Sequence, residues 1–156
     1  MKERIALEVT QRKKVIFLLF LTFSRFKSLT ECKIWSFSPH TRKCYKKFTD
    51  DKSWAEAKQH CLQEHLNGNL ASIPDQETQN FLERMAQHVW IGGFYHDNAI
   101  GWEWTDGTPW EYENWINNPG NKKRMYYQQS GGDGWKTGNG NTRKNFICQY
   151  PTEPLG

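Results

Sequence analysis

Val89-Trp90-Ile91-Gly92-Gly93 and, a short loop later, Trp102-Glu103-Trp104-Thr105-Asp106-Gly107 are the stretches on which the fold turns. The first reads as a buried strand whose paired glycines permit close approach by another backbone. In the second, two tryptophans alternate around Glu103, and Asp106-Gly107 is a tight-turn signal, so a strand runs into a hairpin. Working toward the N-terminus, Asp75 caps a helix with Phe81, Leu82 and Met85 as its apolar stripe, and Leu70-Ala71-Ser72-Ile73 is extended after a break at Gly68. Before that, Ser53-Trp54-Ala55-Glu56 is a capping box, Ser at the N-cap and Glu three residues on. Trp54, Ala57, Cys61 and Leu62 recur behind it at helical spacing, which turns Cys61 toward the core. Tyr45-Lys46-Lys47-Phe48 reads as a short strand. Toward the C-terminus, residues 108–124 lack periodicity and form a long excursion, and strands follow at Met125–Gln128, Gly134–Thr137 and Asn145–Tyr150. Two helices followed by a run of strands predict an α+β fold with antiparallel sheets.

A chain of 156 residues with eight Trp, nine Phe and six Tyr has the length of one domain and is too aromatic for disorder. Its formal charge of +4 invites a nucleic-acid reading, which the distribution of charge removes. The first thirty residues hold seven Lys/Arg against Glu3 and Glu8, leaving 14 basic and 15 acidic residues in the rest. The basicity belongs to a leader in which Arg12-Lys13-Lys14 precedes the apolar run Val15–Phe23. Nine helical residues at about 1.5 Å each fall well short of a roughly 30 Å hydrocarbon core, so the run is no stable membrane span. The pattern is that of a secretory signal, cleaved or retained, with Ser28 and Thr30 placed to precede a cleavage that leaves Glu31 first. We therefore expect residues 1–30 to be a signal peptide or short hydrophobic leader, residues 31–156 to be the domain, and the protein to be secreted.

The four cysteines, Cys32, Cys44, Cys61 and Cys148, include no Cys-x-x-Cys pair and no zinc spacing. In an exported domain they read as two disulfides, with three connectivities open. Cys32–Cys44 with Cys61–Cys148 is favoured, because the first pair brackets a hairpin-like segment and the second ties the chain end to a helix. Nothing points to catalysis: the chain lacks a Gly-x-Ser-x-Gly elbow, a His-Glu-x-x-His helix and a phosphate-cradling loop. His60 and His65, five apart, do not match paired metal ligands on one helical face.

The Cys61 helix, Leu70–Ile73, Trp90-Ile91-Gly92-Gly93, Trp102-x-Trp104-x-Asp106-Gly107, Trp115, Trp135 and Phe146-Ile147-Cys148 together resemble the C-type lectin-like domain, in the family's order across residues 32–150. The Cys32–Cys44 pair resembles the N-terminal hairpin of its long form. The resemblance implies a double-loop fold whose long loop carries ligand binding. It also implies where a calcium site would lie, and there the chain departs. The family's Glu-Pro-Asn-type triplet falls on Asn118-Pro119-Gly120, a nearby Glu on Lys123, and the Trp-Asn-Asp strand on Trp135-Lys136-Thr137. Calcium needs six to eight hard oxygen ligands. An ammonium about 4 Å from the ion instead costs on the order of several kcal/mol in a partly buried site. No metal and no cofactor is therefore expected. The isomer of Pro119, a cis-proline in calcium-binding relatives, stays open, since trans is favoured by about 0.5–1 kcal/mol. A further family disulfide across the long loop is also missing, its two places holding Met125 or a neighbour, and Gly140.

Binding candidates are then Trp110 and Tyr112 as surfaces for sugar rings, with Asn118 and Thr137, and a basic group of Lys122, Lys123, Arg124 and Lys136, joined by Arg143 and Lys144. Trp90, Trp102, Trp104 and Trp135 are read as core. The partner expected is a glycan, anionic or neutral, bound without calcium. The alternative is a cell-surface protein held by a protein-binding module on the same scaffold. Nucleic acid is excluded, and the oligomeric state is left open.

Overall fold

The computed structural model describes residues 9–18, 32–129 and 132–152. Residues 9–18 are helical and exposed, and no helix among the described residues is long and apolar enough to cross a membrane. The rest of the expected leader, including Ser28 and Thr30, and Glu31 after it lie outside the described residues. From Cys32 onward the elements are β1 (Ser36–Ser38), β2 (Lys43–Lys52), α1 (Trp54–Glu64), β3 (Asn69–Leu70), α2 (Gln76–Glu83), β4 (Val89–Tyr95), β5 (Trp102–Trp104), β6 (Arg124–Gln128), β7 (Gly134–Gly138) and β8 (Lys144–Pro151).

Both helices begin where the sequence places their caps. Ser53 Oγ accepts from the Glu56 amide at 3.3 Å while Glu56 Oε2 accepts from the Ser53 amide at 2.8 Å, and Asp75 Oδ1 accepts from the Thr78 amide at 2.7 Å. Trp54, Ala57 and Cys61 are the buried stripe of α1, whereas Leu62 is exposed, one position too far round the helix to face the sheet. In α2 the buried residues are Thr78, Gln79 and Leu82, with Phe81 and Met85 partly buried beside them. Gln79 is tolerated there because its Oε1 accepts from Trp135 Nε1 at 3.0 Å.

The strands form one sheet in the order β1-β2-β8-β4-β6-β7, with β3 against β8 and β5 against β4. Every pairing is antiparallel except one: β4 runs parallel to β8 through Val89↔Asn145 and Trp90↔Phe146. The sheet is thus mixed rather than wholly antiparallel. Period-two alternation explains why Val-Trp-Ile and Phe-Ile-Cys are continuous apolar runs. Val89, Ile91, Met125, Tyr127 and Ile147 join Trp104 and Trp135 in one core, while Trp90, Phe146 and Cys148 join Trp54, Ala57 and Cys61 of α1 in the other. Gly92 sits between strands: a Cβ there would lie 2.8 Å from the Leu70 carbonyl oxygen, and its amide donates to the Ala71 carbonyl at 2.8 Å. Disulfides join Cys32 to Cys44 and Cys61 to Cys148, the second linking α1 to β8 across 87 residues.

Beneath the hairpin that follows β5 lies a polar knot. Asp106 Oδ2 accepts from Lys43 Nζ and Ser72 Oγ at 2.8 Å each and from Gln149 Nε2 at 2.6 Å, while Gln149 Oε1 accepts from the Ser72 amide at 2.9 Å. Burial alone would raise the Asp106 carboxyl, but the Lys43 ammonium and the hydroxyls of Thr108 and Ser72 hold it below the usual carboxylate range. Asp106 therefore does more than start a turn. It pins the hairpin to β2 and β8.

Candidate functional site on the long-loop face

The excursion from Thr105 to Lys123 folds over its own tryptophans. Trp110 lies 4.9 Å from Trp104 and 5.7 Å from Trp135, ring centre to ring centre, and Trp115 lies 5.0 Å from Trp102. Backbone bonds fasten the loop to β7: the Trp135 amide donates to the Asn114 carbonyl at 2.7 Å and the Ile116 amide to the Trp135 carbonyl at 3.1 Å. Gly134 is required at this seam, since a Cβ would meet the Asn114 oxygen at 2.5 Å. Where the loop returns, the Tyr95 amide donates to the Lys123 carbonyl at 3.0 Å, which clips residues 119–123 beside the end of β4.

This packing redistributes the binding candidates. Trp110 is half-buried, its Nε1 donating to Glu113 Oε1 at 2.8 Å, and Tyr112 stacks edge-on against Trp135 while its hydroxyl donates to Gln76 Oε1 at 2.9 Å. Both belong to the wall that holds the loop together. Asn118, Lys122 and Lys123 are exposed on the loop, and Lys123 Nζ lies 5.8 Å from the centre of the Tyr95 ring. Arg124 turns back, its guanidinium 4.7 Å above Trp54, and burial lowers its pKa. Lys136 pairs with Tyr126 across β6 and β7. Lys144 sits 4.2 Å over the Tyr126 ring, its pKa lowered by burial, and Arg143 is held away from the loop by Glu56 at 3.1 Å. The six cations thus separate: Lys122 and Lys123 stand exposed on the loop, Lys136 lies opposite Tyr126 on β7, and Arg124, Arg143 and Lys144 are engaged within the fold.

Two grooves open on this face. One, of about 410 Å³, is lined by Tyr95, Asn98, Trp102 and residues 119–123. The other, of about 440 Å³, is lined by Trp54, Ala55, residues 121–124 and residues 138–141. Tyr95, never singled out from sequence, and Trp102, read as core, form the aromatic wall. The signal was their common place at the outer ends of the paired strands β4 and β5, beyond the apolar centre, with register Tyr95↔Trp102.

The same geometry tests the calcium positions. Gly120 lies over Thr137, whose hydroxyl oxygen would be 4.0 Å from a Cβ at Gly120; Lys123 follows exposed on the same loop, while Lys136, adjacent to Thr137 on β7, points to the opposite face of the strand. All peptide bonds among the described residues are trans, Pro119 included. One amide, one hydroxyl and one cation do not make the charged oxygen shell calcium requires. The donor set does not fit the ion. The place of the absent loop disulfide is also legible, because a Cβ on Gly140 would lie 4.0 Å from Cβ of Arg124.

The chain is 30% identical over 149 residues to C-type lectin 16 of Crotalus adamanteus, covering 89% of this chain and 96% of that protein. It is 26% identical over 147 residues to the snaclec coagulation factor IX/factor X-binding protein subunit B2 of Trimeresurus stejnegeri, covering 88% and 97%. Its fold superposes on a calcium-independent type II antifreeze protein with a TM-score of 0.67 at 27% identity, covering 75% of this chain and 91% of the other. These are binding proteins and not enzymes. The Lectin C-type domain matches residues 50–150, and the chain belongs to that family.

Proposed function

We infer that this is a secreted recognition protein, with residues 1–30 as its leader and residues 31–156 as its C-type lectin-like domain, that binds a glycan on the long-loop face without calcium. The observation that carries the reading is the pair of grooves beside residues 121–123, whose linings combine aromatic rings, asparagine amides and ammonium groups with no carboxylate. Aromatic faces and amides are the groups that take up sugar rings and hydroxyls, and the lysines supply the charge that calcium supplies elsewhere. Retention on immobilised heparin in the presence of chelator tests it. The wild-type chain is expected to be retained and the double charge reversal Lys122→Glu, Lys123→Glu to flow through. Equal retention of the two removes the loop cations from the account.

A second reading, a protein-binding module, is supported by a relative described as a coagulation factor-binding subunit. Capture of one specific cell-surface or plasma protein, unaffected by competing oligosaccharide, would favour this reading over the first.

A further inference from the structure

Residues 121–123 line both grooves and so form a ridge between them. The two troughs differ in chemistry. On one side, Tyr95 and Trp102 stand edge to face with ring centres 5.4 Å apart, beside the Asn98 amide, whose Oδ1 accepts from the Tyr95 hydroxyl at 3.0 Å. On the other, Asn139 and Asn141 lie near the start of α1 at Ala55, and aromatic surface is confined to Trp54, already covered by Arg124. Neither ridge lysine takes part in the ion pairs formed among the described residues, whereas Lys43, Lys52 and Arg143 each hold a carboxylate within 3.1 Å. The Asp97 carboxylate lies close enough to feel the charge of Lys123, and its Oδ1 accepts from the amides of Ala99 and Ile100 at 2.9 and 3.0 Å.

We propose that the ridge divides one extended site into two subsites, and that its ligand is an acidic oligosaccharide lying across it. This rests on the glycan reading above and specifies its substrate class. One ring stacks in the Tyr95–Trp102 trough, its acidic group reaches Lys122 or Lys123 on the crest, and the next units hydrogen-bond to the asparagines beyond. A bare anion has no use for the aromatic wall. An acyl chain finds no apolar depth among asparagines and glycines. Each trough is within the roughly 300–1,000 Å³ typical of small-ligand sites, so a chain that fills both must be longer than one that fills either.

The test is calorimetric titration, in chelator, of the disulfide-bonded protein with heparin-derived disaccharide and hexasaccharide, with sodium sulfate and polyphosphate as ring-free anions. Two substitutions spare the fold. Ala55→Glu adds an acid to the first turn of α1, where the helix dipole favours it. Asn98→Asp keeps an oxygen for the Tyr95 hydroxyl. The hexasaccharide is expected to bind about tenfold tighter than the disaccharide, or more. Ala55→Glu should erase that advantage while leaving the disaccharide within about twofold, and Asn98→Asp should weaken both. Equal affinity for the two lengths, or indifference to Ala55→Glu, overturns the two-subsite proposal and leaves glycan binding intact. Polyphosphate matching the hexasaccharide also overturns it, in favour of a plain anion site. Failure of both oligosaccharides to bind defeats the glycan reading itself.

Discussion

Rebuilding the missing loop bridge gives a quantitative check on the long-loop geometry. In the double variant Arg124→Cys, Gly140→Cys the two Cβ atoms would start 4.0 Å apart, inside the roughly 3.5–4.5 Å range of disulfides. The bond would close a loop of about fifteen residues, worth about 3 kcal/mol in the chain-entropy model. Against this stands the loss of the Arg124 guanidinium from the face of Trp54, about 0.5–1 kcal/mol at a partly exposed site. The net expectation is a gain of about 2 kcal/mol, or roughly 6–12 °C in Tm for a domain of this size. Thermal unfolding followed by near-UV circular dichroism, with thiol titration of the unfolded protein, reads both the bond and its effect. Both new thiols remaining titratable after oxidative refolding would refute the 4.0 Å approach of the two Cβ atoms. A bond that forms without raising Tm would equally refute it, since the register of β6 against the Gly138–Asn141 turn would then be strained rather than ready.

Other expectations follow from the fold. Asp106→Ala should cost about 3 kcal/mol in urea unfolding, because it strands the Lys43 ammonium at a side-chain exposure of 18%, and Asp106→Leu with Lys43→Met should recover part of it. The Asp106 carboxyl is held low, so its contribution is present above its unfolded value and lost as pH falls through the folded one; stability curves of wild type and Asp106→Asn should therefore converge in acid. His40 behaves oppositely. The hydrogen bond that its Nε2–H donates to Asp75, with the charges of Asp75 and Glu77, raises its pKa above 6.5, so its contribution is complete below that value and disappears as pH climbs through the raised one. Wild type and His40→Gln should differ most at mildly acidic pH and least in alkali, and the reverse order would contradict the contact. Gly92→Ala should destabilise by roughly 3 kcal/mol, or prevent folding, because its methyl meets the Leu70 backbone.

Much of this was readable in the residues themselves. Buried strands announce themselves as apolar runs with glycines, capping boxes need only local bonds, and Cys61 faces the core because helical period is local too. The polar knot was not readable, since Asp106-Gly107 looks the same whether its carboxylate meets water or Lys43, and the partners at positions 43, 72 and 149 are brought together by tertiary pairing alone. The same blindness affected the site. A run of Lys122-Lys123-Arg124 looks uniform in sequence, yet strand alternation and a nearby Trp54 turn the third cation inward while the other two stay on the loop. Trp110 and Tyr112 are candidates for sugar contact by composition, and their packing against Trp104 and hydrogen bonding to Gln76 have no local signature. The parallel pairing of β4 with β8 is a long-range choice with no local signature.

We propose that this C-type lectin domain takes its ligand on the long-loop face, where calcium would otherwise sit, without the ion. A glycan array probed with the same preparation in calcium and in chelator measures that directly. Acidic oligosaccharides are expected to bind with equal strength in the two conditions. Binding of neutral sugars such as mannose or galactose that vanishes in chelator would contradict it.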